Sequence, residues 1–243
     1  MLSSEWLDGR GAQVLNMVQR WWRTRGTDIY LDIDVPLEFH GSDYGGWSIA
    51  ADSLNADSVV LSFGIGEDIT FDEAIIGKYA CTVHAFDPTP KALTYVEPFA
   101  SDKLRVYPWG LGATDENRTF YLPRNPRYVS GSISHSRHLK NQAVEVSLRS
   151  LESTMRETGV RRFDVLKMDI EGSEYEVLRD DETMQILEQQ RPQLLVEFHH
   201  RFASYSKADT QDIVARLRRA GFRVAWVSRR GEEVLFLPDK AHD

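Results

Sequence analysis

The sequence predicts an α/β fold: a mostly parallel sheet with helices on both faces and one antiparallel edge strand. Three observations lead there. From Val59 onward short apolar runs alternate with segments of helical period, the pattern of successive β-α-β units. The runs VVLSF, TVHAF and QLLVEF are apolar along most of their length, as strands covered on both faces are. The final runs, FRVAWVS and EVLFLP, are separated only by residues 229–232 and read as a hairpin that turns one strand antiparallel.

The bulk properties agree. A chain of 243 residues with 42% hydrophobic and 27% charged residues is globular and large enough for a single α/β domain. The expected division is an N-terminal extension, residues 1–44, followed by the main domain, residues 45–243. No apolar run approaches the ~18 residues of a membrane-spanning helix, and the N-terminus lacks a basic start with an apolar block. The expected location is therefore cytoplasmic, without membrane insertion. A formal net charge of −8 argues against nucleic acid as a partner, because binding to phosphates rests on lysine and arginine. The single cysteine, Cys81, excludes an internal disulfide and a multi-cysteine zinc site, and its place beside a strand suits a buried thiol.

In chain order, Val14, Leu15, Val18, Trp21 and Trp22 recur at helical spacing, a face for packing on the domain or on a second copy in a homodimer. Residues 28–35 alternate apolar and polar, as a half-buried strand does. Their aspartates do not form a calcium loop, since the central glycine and terminal glutamate are missing. Strands are then expected at VVLSF, TVHAF, LRVYPW, DVLKMD and QLLVEF. The intervening helices fall at Thr70–Tyr79, from about Lys91, near Glu174 to Leu178, and from about Asp209 to Ala220. Residues 121–136, rich in Pro, Ser, Asn, Arg and Gly, read as a long loop over the sheet, with His135, Arg137 and His138 available to close over a polar acceptor.

The stretch after the first of these strands, Gly64-Ile65-Gly66-Glu67-Asp68, has the glycine pair of a nucleotide-binding turn. Ile69 stands where a third glycine would complete the dinucleotide pattern. Glu67 and Asp68 would repel a diphosphate while suiting the helix dipole. A phosphate-free, positively charged adenosyl ligand resolves the conflict, and S-adenosylmethionine is such a ligand. Asp87, 23 residues beyond Gly64 at the end of the second strand, is placed to accept the ribose hydroxyls, as in dinucleotide sites. Pro108-Trp109-Gly110 should lie by the adenine, with Trp109 a candidate stacking wall and Gly110 part of the turn.

FDVLKMDIEGSEYEVL is the most specific stretch, an apolar strand running into Asp169, Glu171 and Gly172 before a helix. With SFGIGEDITFDEA and HAFDPTP upstream and QLLVEFHHRF downstream, it closely resembles the FkbM-type S-adenosylmethionine-dependent methyltransferases over residues 45–236. The resemblance implies a class I methyltransferase fold, Rossmann-like and seven-stranded, and methyl transfer to a hydroxyl oxygen of a sugar or natural product. It carries the glycine turn onto Gly64 and Gly66, the ribose acid onto Asp87, and the D-x-E-G signature onto Asp169, Glu171 and Gly172. YGGW, Tyr44 to Trp47, resembles a segment that in this family often folds near the cofactor. Arg149 departs from the pattern, standing where the family often has aspartate.

Such a transfer needs an acceptor oxygen aligned with the methyl group and relieved of its proton. Asp169, Glu171, Glu197 and His199 all fall at or just past strand ends, on one rim. His199 leads as the base because imidazole titrates near neutrality, with Asp169 or Glu171 as rival. His200 should point the other way. A divalent cation such as magnesium or manganese on Asp169, Glu197 and His199 is a second way to activate the hydroxyl. A small-molecule or saccharide acceptor is expected. The competing readings are methylation of another small molecule or of protein or nucleic acid, a nicotinamide-dependent oxidoreductase on a related sheet, and a binding module without turnover.

Overall fold

The structure is a computed structural model that describes residues 29–123, 139–202 and 204–239. The expected helix over residues 14–22 and the loop histidines His135 and His138 with Arg137 lie outside the described residues. The core is a seven-stranded sheet made of β3 (Val59–Phe63), β4 (Thr82–Phe86), β5 (Leu104–Tyr107), β9 (Val165–Met168), β10 (Gln193–Glu197), β11 (Phe222–Val227) and β12 (Glu233–Pro238), in the order β11-β12-β10-β9-β3-β4-β5. All neighbouring pairs from β10 to β5 are parallel. The antiparallel strand is β12, which pairs with β10 on one side and β11 on the other. It therefore lies one place in from the edge, and β11 is outermost.

Alternation along the parallel strands sends side chains to two separate cores. Leu61, Phe63, Phe86, Leu166, Met168, Leu194 and Val196 share one with residues of α3 (Leu151–Thr158), α4 (Glu174–Arg179), α5 (Asp181–Gln190) and α6 (Lys207–Arg219). Val60, Val83, Val165 and Leu195 share the other with Phe71 and Ile75 of α1 (Thr70–Tyr79), with Val96 of α2 (Pro90–Val96), and with Trp47 and Ile49. The helix starts follow from local chemistry. Ser150 caps α3 through the Ser153 N–H, Asp180 caps α5 through Thr183, and Ser206 with Asp209 forms a reciprocal capping box on α6. Cys81 is a buried free thiol whose pKa burial pushes up to about 11, so it is unreactive, as expected of it.

Two smaller sheets were not foreseen. β1 (Leu37–His40) and β2 (Trp47–Ala50) form an antiparallel hairpin. β6 (Gly110–Leu111), β7 (Glu116–Pro123) and β8 (Leu139–Arg149) form a three-stranded sheet in the order β6-β8-β7. β7 takes up residues 121–123, the start of the segment expected to be loop; the rest of that segment, up to residue 136, lies outside the described residues. The strand expected over residues 28–35 is corrected: residues 29–35, the described part of that segment, are irregular and the first described strand begins at Leu37. Its aspartate pattern serves another purpose. The Asp32 carboxylate accepts from Val224 N–H at 2.9 Å and from Arg218 Nε at 2.9 Å, while the N–H groups of Asp32 and Ile33 both reach the Val224 carbonyl. The segment thus covers the exposed side of edge strand β11, which an unpaired edge requires.

Register decides where function can sit. Val196, Met168, Phe63, Phe86 and Tyr107 are direct partners across five adjacent strands. Phe63 stacks on Phe86 at 4.3 Å between ring centroids, and Phe86 on Tyr107 at 4.9 Å. This apolar row ends the sheet, so the next residues of four of these strands, Glu197, Asp169, Gly64 and Asp87, emerge side by side at the carboxyl edge, where open α/β sheets bind ligands.

The β1–β2 hairpin is pinned to the sheet by Gln193, whose side-chain oxygen accepts from Ala50 N–H at 2.9 Å and whose amide donates to Ser53 Oγ at 2.7 Å. Removing that amide leaves the Ala50 N–H without its partner. Gln193→Leu should lower the unfolding free energy by about 1–3 kcal/mol, read by urea denaturation at unchanged m-value; undiminished stability would mean that apolar packing alone holds the hairpin.

Candidate active site

The carboxyl edge opens into a cleft of about 610 Å³. One end is built by Gly64 to Asp68, by Asp87 to Thr89, and by Gly110 and Leu111; the other by Asp169 to Glu171, Glu197, Arg201 and residues 228–230 of the β11–β12 turn. Asp43 to Gly46, in the turn of the β1–β2 hairpin, and Trp47 at the start of β2 line the same cleft. The YGGW segment is thus at the site, and Gln193 is what ties its hairpin to the sheet.

The glycine turn is required by space. Gly64 has φ +76°, and a Cβ there would meet the Asp169 carbonyl oxygen at 1.6 Å, so no side chain fits between β3 and β9. Gly66, at φ +54°, donates its N–H to Asp87 Oδ2 at 3.0 Å. Asp87 Oδ1 accepts from the N–H and hydroxyl of Thr89 at 2.9 and 2.6 Å. The carboxylate is therefore fixed on both oxygens at the cleft wall, with one lone pair of Oδ2 left for a ligand. Glu67 lines the cleft but is paired with Lys91 at 2.6 Å. Asp68 works inside the fold: it accepts from the Thr70 N–H and hydroxyl and from Ser42 Oγ at 2.6 Å, joining the start of α1 to the hairpin turn. Burial opposes its ionisation, yet these hydrogen bonds outweigh that and hold the carboxyl below its ordinary value.

Gly110 lines the cleft. Trp109, expected as a stacking wall, is half-buried, and its ring packs against Tyr107 at 5.0 Å and Phe86 at 5.8 Å between centroids, which holds the indole against the core. Arg149, the departure from the family pattern, turns to Ser147 Oγ at 2.6 Å and Glu157 at 3.2 Å and does not line the cleft.

The acidic rim is organised around a buried histidine. Glu174, fully buried, accepts from Gly172 N–H at 2.8 Å, from His199 N–H at 2.8 Å and from the His199 ring at Nδ1, 3.0 Å. That fixes the imidazole with Nε2 turned toward Glu171 Oε2 at 3.5 Å, Asp169 Oδ1 at 3.7 Å and Glu197 Oε1 at 3.7 Å. Glu171 delivers its side chain from a left-handed backbone, φ +52°, a strained conformation for a non-glycine residue of the kind that gathers at functional sites, and Gly172 follows at φ +104°. His200 turns away and meets the Thr210 hydroxyl at 3.3 Å, as alternation predicted.

The electrostatics change the assignment of roles. Burial alone would depress the His199 pKa, but the hydrogen bond and charge of Glu174, with Glu171 and Asp169, raise it to about 10. A ring pushed toward its protonated form is a poor proton acceptor, so this setting argues against His199, and for a carboxylate of the rim, as the general base. Burial followed by repulsion from Asp169 raises Glu197 to about 7, and burial raises Asp169 against the opposing charge of Lys167. Arg201 braces Glu197 at 3.3 Å and Glu232 at 2.9 Å.

Two residues escaped the sequence reading. Lys167, 4% exposed on β9, lines the cleft, donates to the Gly64 carbonyl at 2.9 Å and acts electrostatically on Asp68, Asp72 and Asp169. Its signal was available as a lone charge inside the apolar run VLKM. Glu174 reads in sequence as one more acid in the first turn of a helix, and nothing local marks it as buried.

The residues fit S-adenosylmethionine: the turn at Gly64 leaves room only for backbone, Asp87 is preset at the wall, and acids predominate around a ligand that carries positive charge. Comparison with known proteins agrees. A probable methyltransferase-like protein 24 of Homo sapiens is 26% identical over 178 residues, 70% of this chain and 42% of that protein. Its Rattus norvegicus counterpart is 27% identical over 157 residues, 65% and 37%. The chain thus spans less than half the length of these relatives. Among solved structures, Aeropyrum pernix fibrillarin with bound S-adenosyl-L-methionine shares 8% identity at a TM-score of 0.43, over 78% of this chain and 69% of that one. The METTL16 methyltransferase domain shares 11% at 0.44, over 96% and 69%. Likeness at that level carries no functional argument. The model of the methyltransferase FkbM domain matches residues 58–224, a span that contains every parallel strand whose end forms the cleft, and the chain belongs to the FkbM family of S-adenosylmethionine-dependent methyltransferases.

Proposed function

We propose that the protein methylates a hydroxyl oxygen of a small polar acceptor, a saccharide or glycosylated metabolite. The observation that carries this reading is the continuity of the cleft, in which the glycine turn and Asp87 share one cavity with the rim of Asp169, Glu171 and Glu197. S-adenosylmethionine, when bound, supplies an electrophilic methyl group on a positively charged sulfur. Gly64, Gly66 and Asp87 would hold its adenosine portion, with Gly110 in the same wall and Glu67 at the edge. Asp169 and Lys167 stand at the junction of the two ends.

At the other end the chain must orient an alcohol and take its proton. Glu197 lines the cleft, is braced by Arg201 and faces the acid cluster, a position suited to a proton acceptor. Asp169 and Glu171 are then left to orient acceptor hydroxyls, for which paired acids suit a polyol better than an apolar acceptor. Tyr44, 85% exposed at the hairpin turn, offers a flat face for a sugar ring.

Incubation of the protein with methyl-labelled cofactor and a panel of saccharides, followed by mass spectrometry, should give a labelled product whose new bond survives mild alkali, as an ether does. Label appearing only as an alkali-labile ester or on nitrogen would refute the hydroxyl assignment. Asp87→Ala should weaken S-adenosylhomocysteine binding about 10- to 100-fold in calorimetry, the loss of charge-assisted hydrogen bonds; unchanged affinity removes Asp87 from the cofactor site. Glu197→Gln should lower turnover about 100-fold or more with S-adenosylhomocysteine affinity retained, and full turnover in that variant would send the base elsewhere on the rim.

A further inference from the structure

The acid cluster presents a feature that methyl transfer alone does not account for. His199 is fully buried, and its Nε2 makes no hydrogen bond although three carboxylates face it. The nearest oxygens, at 3.5 and 3.7 Å, stand outside good hydrogen-bonding range. A proton at Nε2 would be buried without an acceptor, an arrangement that folded proteins avoid.

The same distances suit a shared ion. Ligand atoms 90–110° apart on a cation with bonds of ~2.1–2.4 Å stand ~3.0–3.9 Å from one another, and opposite ligands ~4.2–4.8 Å. One ligand atom each from Asp169, Glu171 and His199 lie within 4.8 Å of one another. Glu174 holds Nδ1 at 3.0 Å, the carboxylate–imidazole contact that sets the orientation and tautomer of metal-binding histidines. The rim brings four carboxylates together, whereas the fixed cations acting on Asp169 and Glu197 are Lys167 and Arg201, so added positive charge is favourable there. Asp169, Glu171 and Glu197 line the cleft, which gives an ion a route in from solvent.

We infer that Asp169, Glu171 and His199 form a binding site for one divalent cation, with Glu197 flanking it. Carboxylate oxygens with a single imidazole and no thiolate admit manganese, which also serves as a paramagnetic probe. Cation and proton exclude one another at Nε2, and either occupant keeps His199 from serving as a base. An ion held by three protein ligands would leave positions for two acceptor oxygens and so draw an acceptor hydroxyl toward Glu197. That role rests on the methyl-transfer reading; the site itself rests only on the geometry of the rim.

The test uses the full chain, freed of metal by a chelator and titrated with Mn²⁺. Calorimetry and the loss of the free-ion paramagnetic signal should give one ion per chain, and pulsed paramagnetic resonance should show coupling to an imidazole nitrogen. Glu171→Gln and Asp169→Asn, which keep side-chain shape, should each weaken Mn²⁺ at least tenfold. Glu174→Gln should weaken it about 10- to 100-fold through the orientation of His199, and His199→Gln should abolish the nitrogen coupling. Circular dichroism identifies variants that have not folded. The inference is overturned if folded wild-type protein takes up no Mn²⁺ saturably, or if folded Glu171→Gln and Asp169→Asn bind it undiminished. S-adenosylhomocysteine affinity measured on the same metal-free samples reads the cofactor site separately, so failure of one reading does not imply failure of the other.

Discussion

Glu174 accepts three hydrogen bonds from two different segments: one from the backbone after β9, at Gly172, and two from the residue that follows Phe198, the backbone and ring of His199. A fully buried carboxylate survives only with such partners, and these partners are the same atoms that set the rim. Gly172 immediately follows Glu171, and His199 lies two residues beyond Glu197. One buried acid therefore sets the spacing of the exposed ones. The hydrogen bond from Gly172 N–H to Glu174 helps to hold the left-handed backbone at Glu171.

The rest of the cleft depends on register. Because Val196, Met168, Phe63, Phe86 and Tyr107 are aligned, chemistry is concentrated one residue farther along, and an offset in any strand would turn a carboxylate into the core or an aromatic ring into the cleft. Lys167 is the exception that suits the arrangement. It occupies a strand position yet sends its ammonium to the Gly64 carbonyl, so the close approach of β3 to β9 at Gly64 is matched by a positive charge amid Asp68, Asp72 and Asp169. Acids that would otherwise repel one another are thereby held close.

The two ends of the cleft differ in kind. Around Gly64, Gly66 and Asp87 the polar groups are already hydrogen-bonded to each other, a preformed cradle that a ligand can enter with little rearrangement. Around His199 the charges are crowded and incompletely paired, and two carboxyl groups are pushed above their ordinary pKa values. A site of the first kind binds; one of the second kind is suited to proton transfer or cation binding. The hairpin turn at residues 43–46 lines the same cleft, and the hairpin is held by Gln193 from the sheet side and by Ser42 and Asp68 from the side of α1.

By itself the sequence determined the sheet, because runs such as VVLSF and QLLVEF have only one way to bury both faces, and it determined the location of the site, because Gly64, Asp87 and Asp169 directly follow apolar strands. It also sufficed for the family, through a signature carried on consecutive residues. Only the tertiary structure decided which groups meet. Trp109 packs against the core beside Phe86 and Tyr107, and residues 29–35 guard an edge strand through Asp32 rather than forming a strand. The ring of His199 is oriented, and its protonated form favoured, because Glu174, 25 residues away in the chain, is buried against it. Strand order and site position follow from local patterns of apolarity, but the protonation of a side chain depends on which charges folding brings beside it, and no local pattern encodes that.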